Sequence, residues 1–241
     1  MRLRTFCVLA VAVAGMATHC EAGIIYTAPP SLAPGSPYRL AFVTDGTYEA
    51  ISSNIGDYNN DVAAEAALSA LSALGTTWKV IGSTASVSAI SNIGSDPGVP
   101  IYDLHGNLVA DDATTSPGGL FAGEPLLSPI AFTPTGASLS SIAVSTGTHP
   151  DGTPHATAEL GSSYSIVIYG MITTWAGGWI ERDIISTQTP AHLYGISDVL
   201  EAPAAVPEPT TSMMLPLAGA LMIGVRRRLD HRKNRAKRTH C

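Results

Sequence analysis

Between Gly23 and Ala205 the chain has no cysteine; its three cysteines are Cys7, Cys20 and Cys241. A disulfide framework, a thiolate metal site and a cysteine nucleophile are thereby excluded from that stretch. Charge is scarce too. Only 13% of the 241 residues are charged and 6% are aromatic, which excludes a disordered polyelectrolyte. Basic charge is scarcest in the middle, where residues 23–205 hold Arg39, Lys79 and Arg182 against 16 acids, a formal net of −13. A field of that sign opposes nucleic acid, and opposes acidic polysaccharide unless cations bridge the two. No internal repeat of 20–50 residues is visible, so a solenoid is not expected.

The remaining basic residues gather at the two ends. Arg2 and Arg4 precede an apolar run from Phe6 to Ala17, and Cys20-Glu-Ala22 then leads to Gly23. A positive start, about a dozen apolar residues and a small-x-small site are the layout of a secretory signal peptide over 1–22, cleaved after Ala22. The run is shorter than the roughly 20 residues a membrane-spanning helix needs. At the other end, Val206-Pro207-Glu208-Pro209 is followed by Thr210-Thr-Ser212 and an apolar stretch from Met213 to Val225. Arg226, Arg227 and Arg228 come next, and Arg232, Lys233, Arg235, Lys237 and Arg238 extend the charge through a basic tail, residues 229–241. This is the pattern of a short transmembrane helix over 213–225, pinned by positive charge on the cytoplasmic side. Its 13 residues rise only about 20 Å, a marginal span suited to a segment held briefly and then removed.

Taken together, Pro-Glu-Pro, the short apolar helix with Gly219 and Gly224, and the arginine cluster over residues 206–228 resemble a PEP-CTERM sorting signal. That resemblance implies an exported bacterial protein whose tail is recognised and processed by an exosortase, a membrane-embedded cysteine transpeptidase. It also implies a cell envelope with an inner membrane and a species that makes exopolysaccharide. The expected partners are the secretion machinery, the exosortase, the membrane before processing, and exopolysaccharide. The expected destination is the cell surface or extracellular matrix.

Within the exported core, residues 23–205, Arg39-Leu-Ala-Phe-Val-Thr44 predicts a buried strand. Ser52 and Ser53 offer N-caps to one helix, whose stripe Ile55, Tyr58, Val62, Ala66 and Ala70 continues through Leu71 and Leu74 to Gly75. Its outer face carries Asp57, Asn60, Asp61 and Glu65, where acids suit the helix dipole. Thr77–Ile81, Ser141–Ser145, Tyr164–Tyr169 and His192–Ser197 read as further strands. Val99–Leu104 and Leu108–Asp112 read as a hairpin turning at His105-Gly-Asn107. The predicted class is α+β: one main helix packed on small antiparallel sheets.

The stretches Phe42–Thr44, Thr77–Lys79, Tyr102–Asp112, Ser145–Gly152 and Leu193–Ser197, with the Ala-rich helix, resemble a bacterial C-type-lectin-like domain. The resemblance implies long ligand-binding loops and a glycan- or protein-binding role. The chain has no Glu-Pro-Asn carbohydrate motif, so sugar binding would follow from fold and not from a recognised site.

Candidate chemistry is sparse. Asp103, Asn107, Asp111 and Asp112 around the hairpin could give calcium hard oxygen ligands, though not at Asp-x-Asp-x-Asp-Gly spacing. His149 and His155 bracket a turn and could hold a transition metal, with no third ligand evident in sequence. Glu181 and Asp183 flank Arg182 and read as a local ion pair. Trp175 and Trp179 could stack on sugar rings. His105 and His192 complete the core histidines, but no nucleophile motif accompanies them. The expectation is a non-enzymatic envelope or matrix component needing no cofactor; the alternative is a secreted polysaccharide-active hydrolase, whose two acids leave no local signature.

Overall fold

A computed structural model describes residues 24–172 and 177–204. Two compact units separate along the chain, Met1–Ala202 and Pro203–Cys241; the first holds every strand and helix named below. The segments expected to be a signal peptide (1–22), a sorting signal (206–228) with a membrane helix (213–225), and a basic tail (229–241), together with Trp175, lie outside the described residues. Among the described residues no helix is long and apolar enough to cross a membrane.

Strand β1, Pro37–Val43, is buried from Tyr38 onward. Its alternation sorts side chains into two cores. Tyr38, Leu40 and Phe42 join one cluster with Tyr58, Val62 and Trp78, whereas Ala41 and Val43 join the other with Ile93, Ile101 and Ile196. A strand covered on both faces reads as a continuous apolar run, and this one does. Its sheet has six strands, the others being β2 (Trp78–Val80), β3 (Ile101–Asp103), β4 (Leu108–Ala110), β8 (Tyr194–Ser197) and β9 (Leu200–Glu201). The order is β2-β8-β1-β3-β4, and β9 also pairs with β1.

The sheet is mixed, not antiparallel as expected. β1 and β3 run parallel, with Arg39 opposite Ile101 and Ala41 opposite Asp103. Parallel neighbours require a long crossover, and the chain between them supplies it in α1 (Ile55–Ala67), a 3-10 helix, β2 and α2 (Ala89–Ile93). A second, three-stranded sheet of β5 (Ala143–Ser145), β6 (Ile166–Met171) and β7 (Asp183–Ser186), in that order, is antiparallel throughout. The β3–β4 hairpin and the strands at β2, β5, β6 and β8 match the sequence expectation. The class is α+β.

Helix α1 buries Tyr58, Val62 and Ala66, one face at four-residue spacing. Its N-cap is Asn54, whose side chain accepts from the Gly56 amide, in place of the serines expected. Ser52 instead accepts the Asn54 amide and donates to Asp57. The helix also stops earlier than the apolar stripe suggested. Leu68 is 89% exposed, and Ser69 in extended conformation caps a new 3-10 helix, Ala70–Leu74, which Gly75 closes in the left-handed region. Gly195 on β8 lets α1 lie close, since a Cβ there would collide with Val62 Cγ1.

Arg39 is completely buried. Its guanidinium donates to Ser197 O at 2.7 Å, Ile93 O at 2.9 Å and Gly94 O at 3.3 Å, and pairs with Asp96 at 3.1 Å. It thereby satisfies carbonyls left open at the end of α2 and ties them to β8. Helix α2 itself, capped by Ser88, lies in what reads as a Ser/Gly-rich loop. Five residues are too few for a visible apolar period.

Candidate functional site

Asp103, Asp111 and Asp112, expected with Asn107 to offer calcium its oxygens, do not come together as a ligand group among the described residues. Asp103 is buried and its carboxylate already accepts three hydrogen bonds: the amides of His105 and Asn107 at 2.8 and 2.9 Å, and Asn107 Nδ2 at 2.8 Å. Asp111 and Asp112 lie past the far end of β4 and serve another loop. Asp111 N donates to Gly118 O, and Asp112 accepts from the Gly98 and Thr114 amides. Burial raises the Asp112 carboxyl, but these donors outweigh it and hold the group below the usual carboxylate range. The structure thus unites Asp103 with Asn107 as a turn lock, and keeps Asp111 and Asp112 apart from them.

Trp179 is 2% exposed and packs on Tyr194 with ring centroids 5.7 Å apart. It is a core residue. His105 stacks flat on Phe132 at 3.5 Å, and His192 Nδ1 lies 2.7 Å from Thr44 O. Both rings are engaged by structure. A groove of about 390 Å³ beside α1, lined by Asn59, Asn60, Ala63, Thr77 and Trp78 among others, was not evident from sequence.

One cluster does form. His149 Nδ1 is 2.9 Å from Glu181 Oε2, and His155 Nε2 is 4.0 Å from Glu181 Oε1. The two imidazole rings lie 4.5 Å apart at 37°. Among the described residues this is the one group of three or more metal-ligating side chains whose ligand atoms sit within 4.8 Å of one another. Glu181 thus adds to the two histidines the third side chain of ligating type that the sequence pattern lacked. Asp183 does not share its role: it starts β7, exposed, and accepts the Ile184 amide.

Each member is positioned by backbone. Thr148 bridges Pro154, His149 N donates to Thr153 O, and His155 N donates to Gly147 O, so both histidines project from one short hairpin. Asp151 braces its turn by accepting from the Thr153 hydroxyl and amide. Glu181 follows a turn in which Ile180 and Glu181 amides both donate to Gly177 O, while Arg182 N donates to Tyr169 O on β6. That turn presses on β6 at Gly170, where a Cβ would collide with the Trp179 carbonyl. Only glycine permits the approach that delivers Glu181 to the histidines. The clue in sequence is the order Gly177-Gly178 then Trp179-Ile180: a turn, a buried pair, and the first polar residue beyond.

The chain matches no protein-family model and no curated protein.

Proposed function

We propose that the chain is an exported protein with a PEP-CTERM-type sorting tail, held in transit by its short C-terminal helix, processed by an exosortase, and acting as a non-enzymatic component of the cell envelope or exopolysaccharide matrix. The observation that carries this reading is the conjunction of Val206-Pro207-Glu208-Pro209, the apolar stretch 213–225 and Arg226–Arg228. No single part of it would suffice. The cysteine-free, acidic core supports the reading, since it folds by burial alone and stays soluble in a matrix.

Within this reading the described domain is a ligand-binding module of C-type-lectin-like kind. A single main helix on a sheet, the β3–β4 hairpin and the long connection from Ala113 to Ile142 support it; the parallel pairing of β1 with β3 must be accommodated. The mature ends test the sorting proposal. Intact-mass measurement of the protein recovered from the producing cell should give a species lacking residues 1–22 and the arginine tail. Replacing Pro207, Glu208 and Pro209 by alanine should leave the tail attached, and normal maturation of that variant would refute the assignment. Turnover of a glycan, abolished by single carboxylate changes, would replace the non-enzymatic reading by a hydrolase.

A further inference from the structure

We propose that His149, His155 and Glu181 bind a single borderline divalent cation, Zn²⁺ foremost, with a further coordination position open to an oxygen ligand from solvent or a partner. The site holds whether or not the tail is a sorting signal, because it is built wholly within the described domain.

The donor set chooses the metal. Two imidazole nitrogens and one carboxylate, without thiolate, suit zinc and its neighbours more than calcium or magnesium, which prefer six or more oxygens. Ligand atoms on a tetrahedral zinc with bonds of about 2.0–2.1 Å stand about 3.3 Å apart. With one ligand atom taken from each residue, the three lie within 4.8 Å of one another, so closing to that spacing takes side-chain rotation and no backbone rearrangement. The hairpin and the Gly177–Glu181 turn are each held by backbone hydrogen bonds, so the ligands come from two fixed segments. Three protein ligands leave a position free, as in zinc sites that bind water or substrate. The side chains of the three are 38%, 27% and 27% exposed, so an ion can enter and an outside ligand can reach it.

A plain His–Glu ion pair accounts for only part of this arrangement. His149 alone satisfies Glu181 Oε2. His155 is turned to the other oxygen at a distance too long for a hydrogen bond. A second imidazole seated that way gains little from a pair; a cation shared by all three groups engages it.

The full chain, tag removed and stripped with chelator, should be titrated with ZnCl₂ by calorimetry and its zinc content measured after gel filtration. Cysteine and histidine are zinc ligands and the terminal segments contain both, so each variant is compared with the wild type in the same full-length chain. His149→Asn and Glu181→Gln should each lose one zinc equivalent, or weaken that equivalent on the order of 100-fold, with an unchanged circular dichroism spectrum. As a readout free of mutation, Zn²⁺ should protect His149 and His155 from diethylpyrocarbonate relative to His192, mapped by peptide mass spectrometry. Folded variants that keep the wild-type number and affinity of zinc ions, or histidines carbethoxylated equally with and without zinc, would overturn the proposal.

Discussion

Glu65 Oε1 accepts a hydrogen bond from Tyr48 Oη at 2.8 Å, seventeen residues away, and the same carboxylate takes the amides of Gly46 at 2.7 Å and Asp45 at 2.8 Å. The sequence places Glu65 on the polar face of α1, among acids that the helix dipole would explain. Its position is in the last turn, however, where an acid opposes the dipole. Its work is to clamp the loop that follows β1. Glu65→Gln removes the acceptor of one oxygen and the charge of both, with an expected loss of about 1–3 kcal/mol. Urea denaturation would measure it, and amide hydrogen exchange at Gly46 should accelerate.

Arg39 is the buried counterpart of that clamp. Burial depresses its basicity, which Asp96 and Asp198 partly restore, and it stays charged. Arg39→Met leaves the carbonyls of Ile93 and Ser197 without donors, and the expected cost is about 1–3 kcal/mol for each. Arg39→Lys should recover little, because an ammonium cannot span Ser197 O and Ile93 O as the fork does. The denaturation midpoints of both variants check this.

Acid should weaken the domain through Asp198 and Asp112. Burial raises both carboxyls, but Thr77 and Lys79 at Asp198, and the Gly98 and Thr114 donors at Asp112, bring them below the usual range. A depressed folded pKa contributes stability above the unfolded value of about 3.9, and that stability is lost as pH falls through the folded value. Asp61 works in the opposite sense, raised by burial and then by Asp57 and Glu65. Melting temperature against pH should therefore drop below about pH 4, less steeply in Asp198→Asn. Asp61→Asn should stabilise the protein at neutral pH.

Gly170→Ala should disrupt the turn that carries Glu181. The added methyl meets the Trp179 carbonyl and no flexible side chain, so the strand and the turn must separate. A loss of at least ~1–3 kcal/mol is expected, with loosening around Trp179 visible as a red shift in tryptophan emission. Zinc binding should fall together with it; a Gly170→Ala variant with wild-type melting and emission would contradict this packing of the turn on β6.

Much of the fold was legible where burial has a period. The Tyr58–Val62–Ala66 stripe and the apolar runs of β1, β2, β6 and β8 each announce their element. β7 was not legible, because Asp183–Ser186 is largely exposed and starts within the charged Glu181-Arg182-Asp183 cluster. α2 is one turn long and β9 two residues, below what any pattern resolves. The interrupted end of α1 turned on Ser69, whose hydroxyl competes locally with the helix for backbone donors.

The sequence by itself determined the cysteine-free acidic core, the basic ends with their apolar segments, and the strand and helix signals that local periodicity encodes. It also displayed His149 and His155 on one turn. The tertiary structure alone decided that β1 and β3 run parallel, that the hairpin oxygens part company, and that Glu181, thirty-two residues from His149, closes on the histidines. Pairing direction and ligand convergence depend on how distant segments pack, and no local spacing records a contact made across the chain.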